Sequence, residues 1–266
     1  MNSPKDELTA LLALNRIDRI GSIRAKYLYE QLGSAQEIFR NRKHLNQIIT
    51  GVNQSLIDAL DDSGAFIKAE EEIRFIEENH IRCLTPEHND YPSRLRDCED
   101  APLLLFTLGN VNLNTTRIVS VVGTRKATEY GRRMCNRLIA DLHSAYPDIL
   151  IVSGLAYGID AISHKAALDN DCNTVGVLAH GLDMIYPSRN REMAKRMLHS
   201  GGLVTEFMSK TVPLPHNFLR RNRVVAGLAD AVVVVESASH GGSLATADMA
   251  QSYHRDCFAF PGSVGD

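Results

Sequence analysis

The stretch 149–160 reads ILIVSGLAYGID, a run of apolar residues that ends in glycines and an aspartate. Branched apolar residues in succession are typical of a strand that is covered on both faces. An equivalent run, IVSVV at 118–122, precedes it and leads into GTRKAT at 123–128. A strand followed by a glycine loop and a helix is the repeating unit of a parallel α/β sheet.

The same alternation continues beyond this unit. Between the two runs, Tyr130, Met134 and Leu138 recur every four residues, which predicts a helix. We therefore predict an α/β fold with a Rossmann-like, doubly wound and mostly parallel sheet. The expected strands are Ile118–Val122, Ile149–Ser153, Thr174–Leu178, Leu203–Thr205, Ala231–Glu236 and Cys257–Phe260.

Residues 1–75 have the pattern of a small, separate, all-helical domain. Leu8 and Leu11 begin a series of apolar residues at helical spacing, and Gly21 and Gly51 each stand between two helical segments. This arrangement is typical of a helix-hairpin-helix unit, whose turns can present N–H groups to a DNA phosphate. A helical hairpin that serves only for packing is the alternative.

Residues 76–266 are expected to form one extended Rossmann-like domain. Its first part carries two short extended pieces, Ile81–Leu84 and Leu103–Leu108, which we interpret as additional strands at the edge of the sheet.

The charge of the chain is unevenly distributed. The net charge is −3, but the segment from Arg117 to Val225 holds 15 Lys and Arg against 9 Asp and Glu, a net charge of +6. This asymmetry favours an anionic partner for the middle of the chain, and a solvated basic surface is the alternative.

The composition also indicates a compartment. The five cysteines form no C-x-x-C pair, and the beginning of the sequence has no basic leader. No apolar run approaches the roughly 18 to 20 residues that a membrane span needs. We expect a cytoplasmic protein with reduced thiols, no metal and no cofactor.

Glycine-rich segments follow four of the expected strands, at 123–128, 153–160, 180–183 and 239–243. The carboxyl ends of parallel strands share one edge of a sheet, where glycines and helix N-termini can contact a phosphate. The first segment lacks G-x-G-x-x-G, so it does not predict a dinucleotide site. An ordinary turn is the alternative at each position.

Arginines lie close to the same predicted edge. Arg189, Arg191 and Lys195 begin a helix, and 218–223 reads FLRRNR. Arginine offers a fork of donors for phosphate oxygens, and an adjacent aromatic ring can stack on a base. A solvated charge run is the alternative.

Asp160 and His164 are spaced four residues apart on one predicted helix, a spacing that invites a catalytic interpretation. We favour a helix cap for the aspartate and a local packing or hydrogen-bonding role for the histidine.

Together these motifs resemble the DNA-processing protein A family, also called DprA or Smf, from about Tyr91 to Gly262. More loosely, the N-terminal helices resemble the SAM-like domain of that family. The matching stretches are VGTRKATEYG at 122–131, SGLAYGIDAISHKAAL at 153–168, GLDMIYP at 181–187, FLRRNR at 218–223, GGSLATA at 241–247 and FPG at 260–262. The resemblance implies a non-enzymatic protein of natural transformation that binds and protects single-stranded DNA and helps to load the RecA recombinase. It also implies a homodimer near helix Ser243–Tyr253 and strand Cys257–Phe260. Met249 and Tyr253 are spaced four residues apart on that helix, which favours an exposed apolar stripe, and inward packing of both is the alternative.

The resemblance adds residue roles to those suggested by the loops and the charges. It implies a positive pocket built from the GTRKAT loop and the FLRRNR segment. The complete set of expected DNA-binding residues is Gly123, Thr124, Arg125, Lys126, Thr128, Gly154, Arg189, Arg191, Lys195, Phe218, Arg221, Asn222, Arg223, Gly242 and Ser243.

Three departures from the family pattern stand out. Tyr157 occupies a position where arginine is frequent, which removes one expected phosphate contact. Thr205-Glu206 replaces Ser-Glu, and the sequence stops at Asp266, so we expect a domain truncated before the family's last sheet element and any winged helix.

Two other classes of function stay open. A nucleotide-cleaving phosphoribohydrolase uses a similar sheet, but its P-G-G-x-G-T-x-x-E motif is only partly matched at 241–248. A pure interaction scaffold is the other class, and it leaves the arginine-rich edge unexplained.

Overall fold

The computed structural model describes residues 4–17, 20–239 and 241–262. The chain divides into two compact units. The helical unit comprises Met1–Glu87 and Glu99–Leu105, and the sheet unit comprises His88–Cys98 and Phe106–Asp266.

The helical unit is built from short helices around one apolar core. Leu12 and Leu14 of its first helix are completely buried, as are Leu28, Ile38 and Leu45 of later helices. Its elements are α1 (Pro4–Arg16), α2 (Ser22–Leu32), α3 (Ala35–Arg40), α4 (Leu45–Ile48), α5 (Gln54–Leu60), α6 (Ser63–Glu78) and strand β1 (Arg82–Leu84).

The turns of this unit are fixed by glycines and by one carboxylate. Gly33 ends α2 with a φ of 69°, and Gly51 turns between α4 and α5 with a φ of 85°. The carboxylate of Glu7 accepts hydrogen bonds from the backbone N–H of Ala35 at 2.5 Å and from Ser34 Oγ at 2.6 Å, which joins α1 to the start of α3. Gly21 and Gly51 thus stand between helices, as the pattern predicts, and α6 continues three residues past the expected boundary at 75.

The sheet unit alternates strands with helices along the chain. Its strands are β2 (Leu105–Gly109, whose first residue lies in the helical unit), β3 (Ile118–Val122), β4 (Leu150–Ser153), β5 (Asn173–Val177), β6 (Gly201–Thr205), β7 (Ala231–Val234) and β8 (Asp256–Ala259). Its helices are α7 (Ser93–Arg96), α8 (Glu129–Ala145), α9 (Ile159–Asp169), α10 (Arg191–Met197), α11 (Pro215–Leu228) and α12 (Gly242–Ser252).

The described strands of this unit lie in the order β2-β6-β5-β4-β3-β7-β8. The pairings from β6 to β8 are all parallel, and β2 pairs antiparallel with β6. The chain winds from β3 toward β6 and then returns to the other side of β3 with β7. The Rossmann-like, mostly parallel sheet is confirmed, and its switch point lies between β3 and β7.

Helices cover both faces of the sheet. On one face, Ile139 of α8 and Ile159 of α9 pack with Ile151 of β4 in a fully buried cluster. Toward α11, buried hydroxyls replace some of the apolar contacts, and Ser120 Oγ donates to the carbonyl oxygen of Val225 at 2.7 Å. Unbroken apolar strands follow from this two-sided burial.

The cysteines are free thiols in mostly buried positions. Burial raises the pKa of the Cys83 and Cys135 thiols to about 12 and that of Cys172 to about 11. Within the described ranges, no helix is both long enough and apolar enough to cross a membrane.

Candidate functional site

A cleft of about 490 Å³ opens at the switch point of the sheet. Three glycine-containing loops border it, namely those that follow β3, β4 and β7, and the first turns of α11 form a further wall. A parallel sheet collects its ligand-binding loops at this edge, because neighbouring crossovers diverge there. The cleft is lined by Val122, Gly123, Thr124, Arg125, Lys126, Gly154, Ala156, Tyr157, Asp160, Pro215, Phe218, Leu219, Arg221, Asn222, Val225, Ser237, Ala238, Gly241, Gly242, Ser243 and Thr246.

Backbone hydrogen bonds hold the loops of the cleft together. The N–H of Thr124 donates to the carbonyl oxygen of Glu236 at 2.7 Å, and the carbonyl oxygen of Thr124 accepts from the N–H of Ile159 at 3.1 Å. Gly158 has a φ of 77°, and a Cβ there would collide with the backbone of Thr124 and Arg125. The approach of the β4 loop to the β3 loop therefore requires glycine at 158.

Arg221 forms the floor of the cleft. Its side chain is buried, and its guanidinium donates to the carbonyl oxygens of Gly154 and Val177, at the ends of β4 and β5. A side chain at position 154 would occupy the space of this guanidinium. Burial lowers the pKa of Arg221, and the Asp160 carboxylate opposes that shift. Arg221 thus fastens α11 to two strand ends.

Asp160 and His164 are both engaged within the protein. Burial raises the pKa of the Asp160 carboxyl, while Arg221 and the N–H of Ala156 stabilise its charged form. Nδ1 of His164 lies 2.7 Å from Thr174 Oγ1, whose own proton goes to the carbonyl oxygen of Ile151 at 3.0 Å. Nδ1 must therefore donate to Thr174, which is the local hydrogen-bonding role that we favour from the sequence.

The exposed part of the cleft combines cations with an aromatic ring. Arg125 lies over the half-buried ring of Phe218, with its guanidinium carbon 5.3 Å from the ring centroid. Asn222 Nδ2 donates to the carbonyl oxygen of Gly242 at 3.1 Å, and Ser243 Oγ lies 2.8 Å from Ser237 Oγ. These contacts fix α11 and the start of α12 as opposite walls.

The cleft is electrostatically suited to an anion. Among the described residues, the Asp, Glu, Lys and Arg side chains of its lining are three cations, Arg125, Lys126 and Arg221, and one carboxyl group, Asp160. Arg125 and Lys126 are exposed, whereas Asp160 is buried beneath the surface. Exposed cations above glycine loops favour an anionic ligand that approaches the backbone closely.

The structure does not bring every expected residue into the cleft. Arg223 is buried on the other side of α11, where it pairs with the buried carboxylate of Glu206. Thr128 caps α8, since its hydroxyl accepts from the N–H of Gly131 at 3.2 Å. Arg189, Arg191 and Lys195 are exposed beyond the lining residues, and Lys195 pairs with Glu192.

The glycine segment at 180–183 also lies apart from the cleft. The carbonyl oxygen of His180 accepts from Thr205 Oγ1 at 2.9 Å, and Nε2 of its ring accepts from the N–H of Tyr186 at 3.2 Å. The expected rim of four loops is therefore a cleft bordered by three. His240, in the fourth glycine segment, lies outside the described residues.

The structure adds lining residues that are outside the expected set of DNA-binding residues. Pro215 and Leu219 lie in the first turns of α11, and Ser237 follows β7. For the two residues of α11, the sequence does indicate where the helix starts, because proline is favoured in the first turn of a helix and Pro215 is the first residue of α11.

The chain is similar to known proteins over about two thirds or more of its length. The model of the DNA recombination-mediator protein A family matches residues 82–266. The DNA processing protein DprA of Streptococcus pneumoniae is 39% identical over 176 residues, which cover 66% of this chain and 61% of that protein. Protein Smf of Escherichia coli K12 is 38% identical over 198 residues, which cover 74% of this chain and 52% of that protein. The chain thus spans about half to two thirds of the length of the curated relatives it matches.

Solved structures agree with the fold. The X-ray structure of DNA processing protein A from S. pneumoniae superposes with a TM-score of 0.69 at 30% identity, covering 93% of this chain and 89% of that chain. DNA processing protein A from Helicobacter pylori, for which a single-stranded DNA binding mode is described, gives a TM-score of 0.63 at 28% identity and covers 70% and 83% of the two chains.

The buried His164 predicts a pH dependence of stability. Burial, reinforced by Arg221, lowers its pKa to about 3 from an ordinary value of 6.5. As the pH falls below 6.5, the unfolded chain binds a proton that the folded chain does not, so stability is lost toward pH 3. His164→Asn removes this contribution. The free energy of unfolding of the variant, relative to that of wild type, should therefore rise by about 1.4 kcal/mol for each unit by which the pH is lowered over that range.

Urea unfolding at a series of pH values from 7 downward measures the difference. His199→Asn, at an exposed histidine of the same unit, is the matched control and should follow wild type. A constant difference between wild type and His164→Asn at all pH values contradicts the assignment.

Proposed function

The chain belongs to the DNA recombination-mediator protein A family, and from that premise we propose that its cleft binds the phosphate backbone of single-stranded DNA without cleaving it. The observation that carries the proposal is the cleft at the switch point, where exposed Arg125 and Lys126 stand above glycine loops. These groups match the charge and the shape of a flexible polyanion.

The arrangement of Arg125 and Phe218 favours a nucleic acid over a simple anion. The guanidinium can contact a phosphate while the ring beneath it offers an apolar face to a base. Sequence-tolerant binding of single strands depends on this combination of cations with stacking surfaces. The H. pylori relative, with its single-stranded DNA binding mode, supports the same ligand class.

Within this proposal, the expected residues have different roles. Arg125 and Lys126 contact phosphates directly, whereas Arg221 holds the floor of the cleft and Arg223 stabilises α11 through Glu206. The protein acts in the cytoplasm on DNA taken up during natural transformation, and it protects that DNA.

The test of DNA binding is a pair of charge-removing variants. Arg125→Ala and Lys126→Ala should each weaken binding of oligothymidylate by about tenfold or more, because a hydrogen bond to a charged group contributes about 1.5–3 kcal/mol. Each should also reduce the slope of log K against log salt by about 0.7. Fluorescence anisotropy over a salt series measures both quantities.

Arg137→Ala is the control, since Arg137 is an exposed arginine on α8 that pairs with Asp141. A duplex competitor should displace the single strand poorly. Wild-type affinity and salt slope in both cleft variants would point to another ligand. Release of free base from nucleoside monophosphates would point to the phosphoribohydrolase alternative.

We also propose that the chain forms a homodimer through β8. This strand is the last of the described sheet order, and Phe258 on it is 59% exposed. An apolar groove of about 330 Å³ adjoins it, lined by Leu138, Leu142 and Phe260 among others. An open strand edge with apolar side chains must be covered or paired, and a second copy can do so.

The structure refines the variant that tests this dimer. Met249 and Tyr253 are half-buried, so Phe258→Glu is a sharper probe than a charge on α12. Light scattering over a concentration series should show wild type associating and Phe258→Glu remaining monomeric. Val212→Glu adds the same charge at another exposed apolar position and should behave as wild type. Equal association of Phe258→Glu and wild type excludes this interface.

The third part of the proposal is that the bound strand is passed to RecA. The family description, a mediator of recombination, supports this role. Wild type should shorten the lag of RecA filament formation on single strands coated with single-strand-binding protein, and Arg125→Ala should not. The lag is measured from the onset of RecA-dependent ATP hydrolysis. If the lag is the same with and without the wild-type protein, the role is ruled out.

A further inference from the structure

Tyr157 and Arg189 form a second pairing of an aromatic ring with a guanidinium beside the cleft. The guanidinium carbon of Arg189 lies over the ring of Tyr157, 4.6 Å from its centroid. Tyr157 lines the cleft and keeps 36% of its surface exposed, and Arg189 is exposed as well. The pair repeats the combination of a guanidinium and an aromatic ring that Arg125 and Phe218 provide in the cleft.

Contacts within the protein hold this pair in place. Asn190, next to Arg189, is buried, and its Nδ2 donates to the carbonyl oxygens of Leu155 at 2.9 Å and Ala156 at 3.5 Å. The segment that carries Arg189 is therefore bonded to the loop that carries Tyr157. On the other side of Tyr157, Gly158 packs against the backbone of the β3 loop.

The sequence pattern gives Tyr157 a different meaning. The resemblance to the family leads to the expectation that a tyrosine at this position removes a phosphate contact. The structure places the charge of Arg189 directly over the tyrosine ring, so the cation at this point comes from a different segment and the ring adds a stacking surface. Cation–π pairing keeps the ring and the charge together.

We propose that Tyr157 and Arg189 are a second base-stacking subsite, which binds a nucleotide of the strand beyond the one at Phe218. The subsite rests on the proposed function, and it makes the occupant a polynucleotide segment rather than a single nucleotide. Arg189 contacts the phosphate, and the tyrosine ring contacts the base. Because both side chains are held before the ligand arrives, little conformational freedom is lost on binding.

The experiment compares variants in binding to oligothymidylate. Tyr157→Ala should weaken binding by about tenfold, within the range for loss of one base–aromatic stack, and should leave the salt slope unchanged. Tyr157→Phe should bind with wild-type affinity because it retains the aromatic ring. Arg189→Ala weakens binding and also reduces the salt slope by about 0.7.

The chain offers a matched control for these variants. Tyr146 is 43% exposed and lies under the guanidinium of Arg117 at 4.5 Å, but it follows the C-terminal end of α8, away from the cleft lining. Tyr146→Ala removes an equivalent ring and pairing, and it should bind DNA as wild type does.

A scan with abasic residues tests the subsite in the wild-type protein itself. An abasic residue should lower the affinity at two separate positions along the oligonucleotide, and Tyr157→Ala should abolish the effect at one of them. The subsite is overturned if Tyr157→Ala binds with wild-type affinity, or if the scan shows a single sensitive position. In that case, loss of binding in Arg125→Ala still supports the proposed function. A wild-type protein that binds no single strand overturns both.

Discussion

The cleft depends on one buried cation. The guanidinium of Arg221 occupies the space between the ends of β4 and β5, where it bonds to two backbone carbonyl oxygens and is balanced by Asp160. Burying a charge is tolerated only when hydrogen bonds and an opposite charge compensate it, and both are present here. Glycine at position 154 leaves the space that the guanidinium fills, since a Cβ there would collide with it.

The remaining geometry of the cleft follows from this anchor. With α11 fixed at Arg221, Phe218 lies about one turn earlier and Asn222 one residue later on the same helix. Phe218 thereby faces Arg125, and Asn222 reaches the start of α12. The cations divide into a buried one that builds the site and exposed ones that are available to a ligand.

Periodicity and strand composition predict the fold well, because a strand covered on both faces leaves an unbroken apolar run, as at 118–122. The site is predicted less completely. Arg221 and Arg223 look equivalent in FLRRNR, but on a helix they lie about 200° apart, so one reaches the cleft and the other reaches Glu206. Thr128 shows the same limit, since a threonine before a helix can cap the helix or contact a ligand. In the structure its hydroxyl accepts from the N–H of Gly131, which identifies it as the cap.

The buried thiols make the protein convenient for spectroscopy. Burial raises the pKa of Cys83, Cys135, Cys172 and Cys257, so little of each is thiolate at neutral pH, and maleimide reagents react with the thiolate. Cys98 is 3% exposed. A cysteine introduced at Leu219, which is 52% exposed at the mouth of the cleft, would react first. A fluorophore attached there could report ligand entry without removal of the native cysteines.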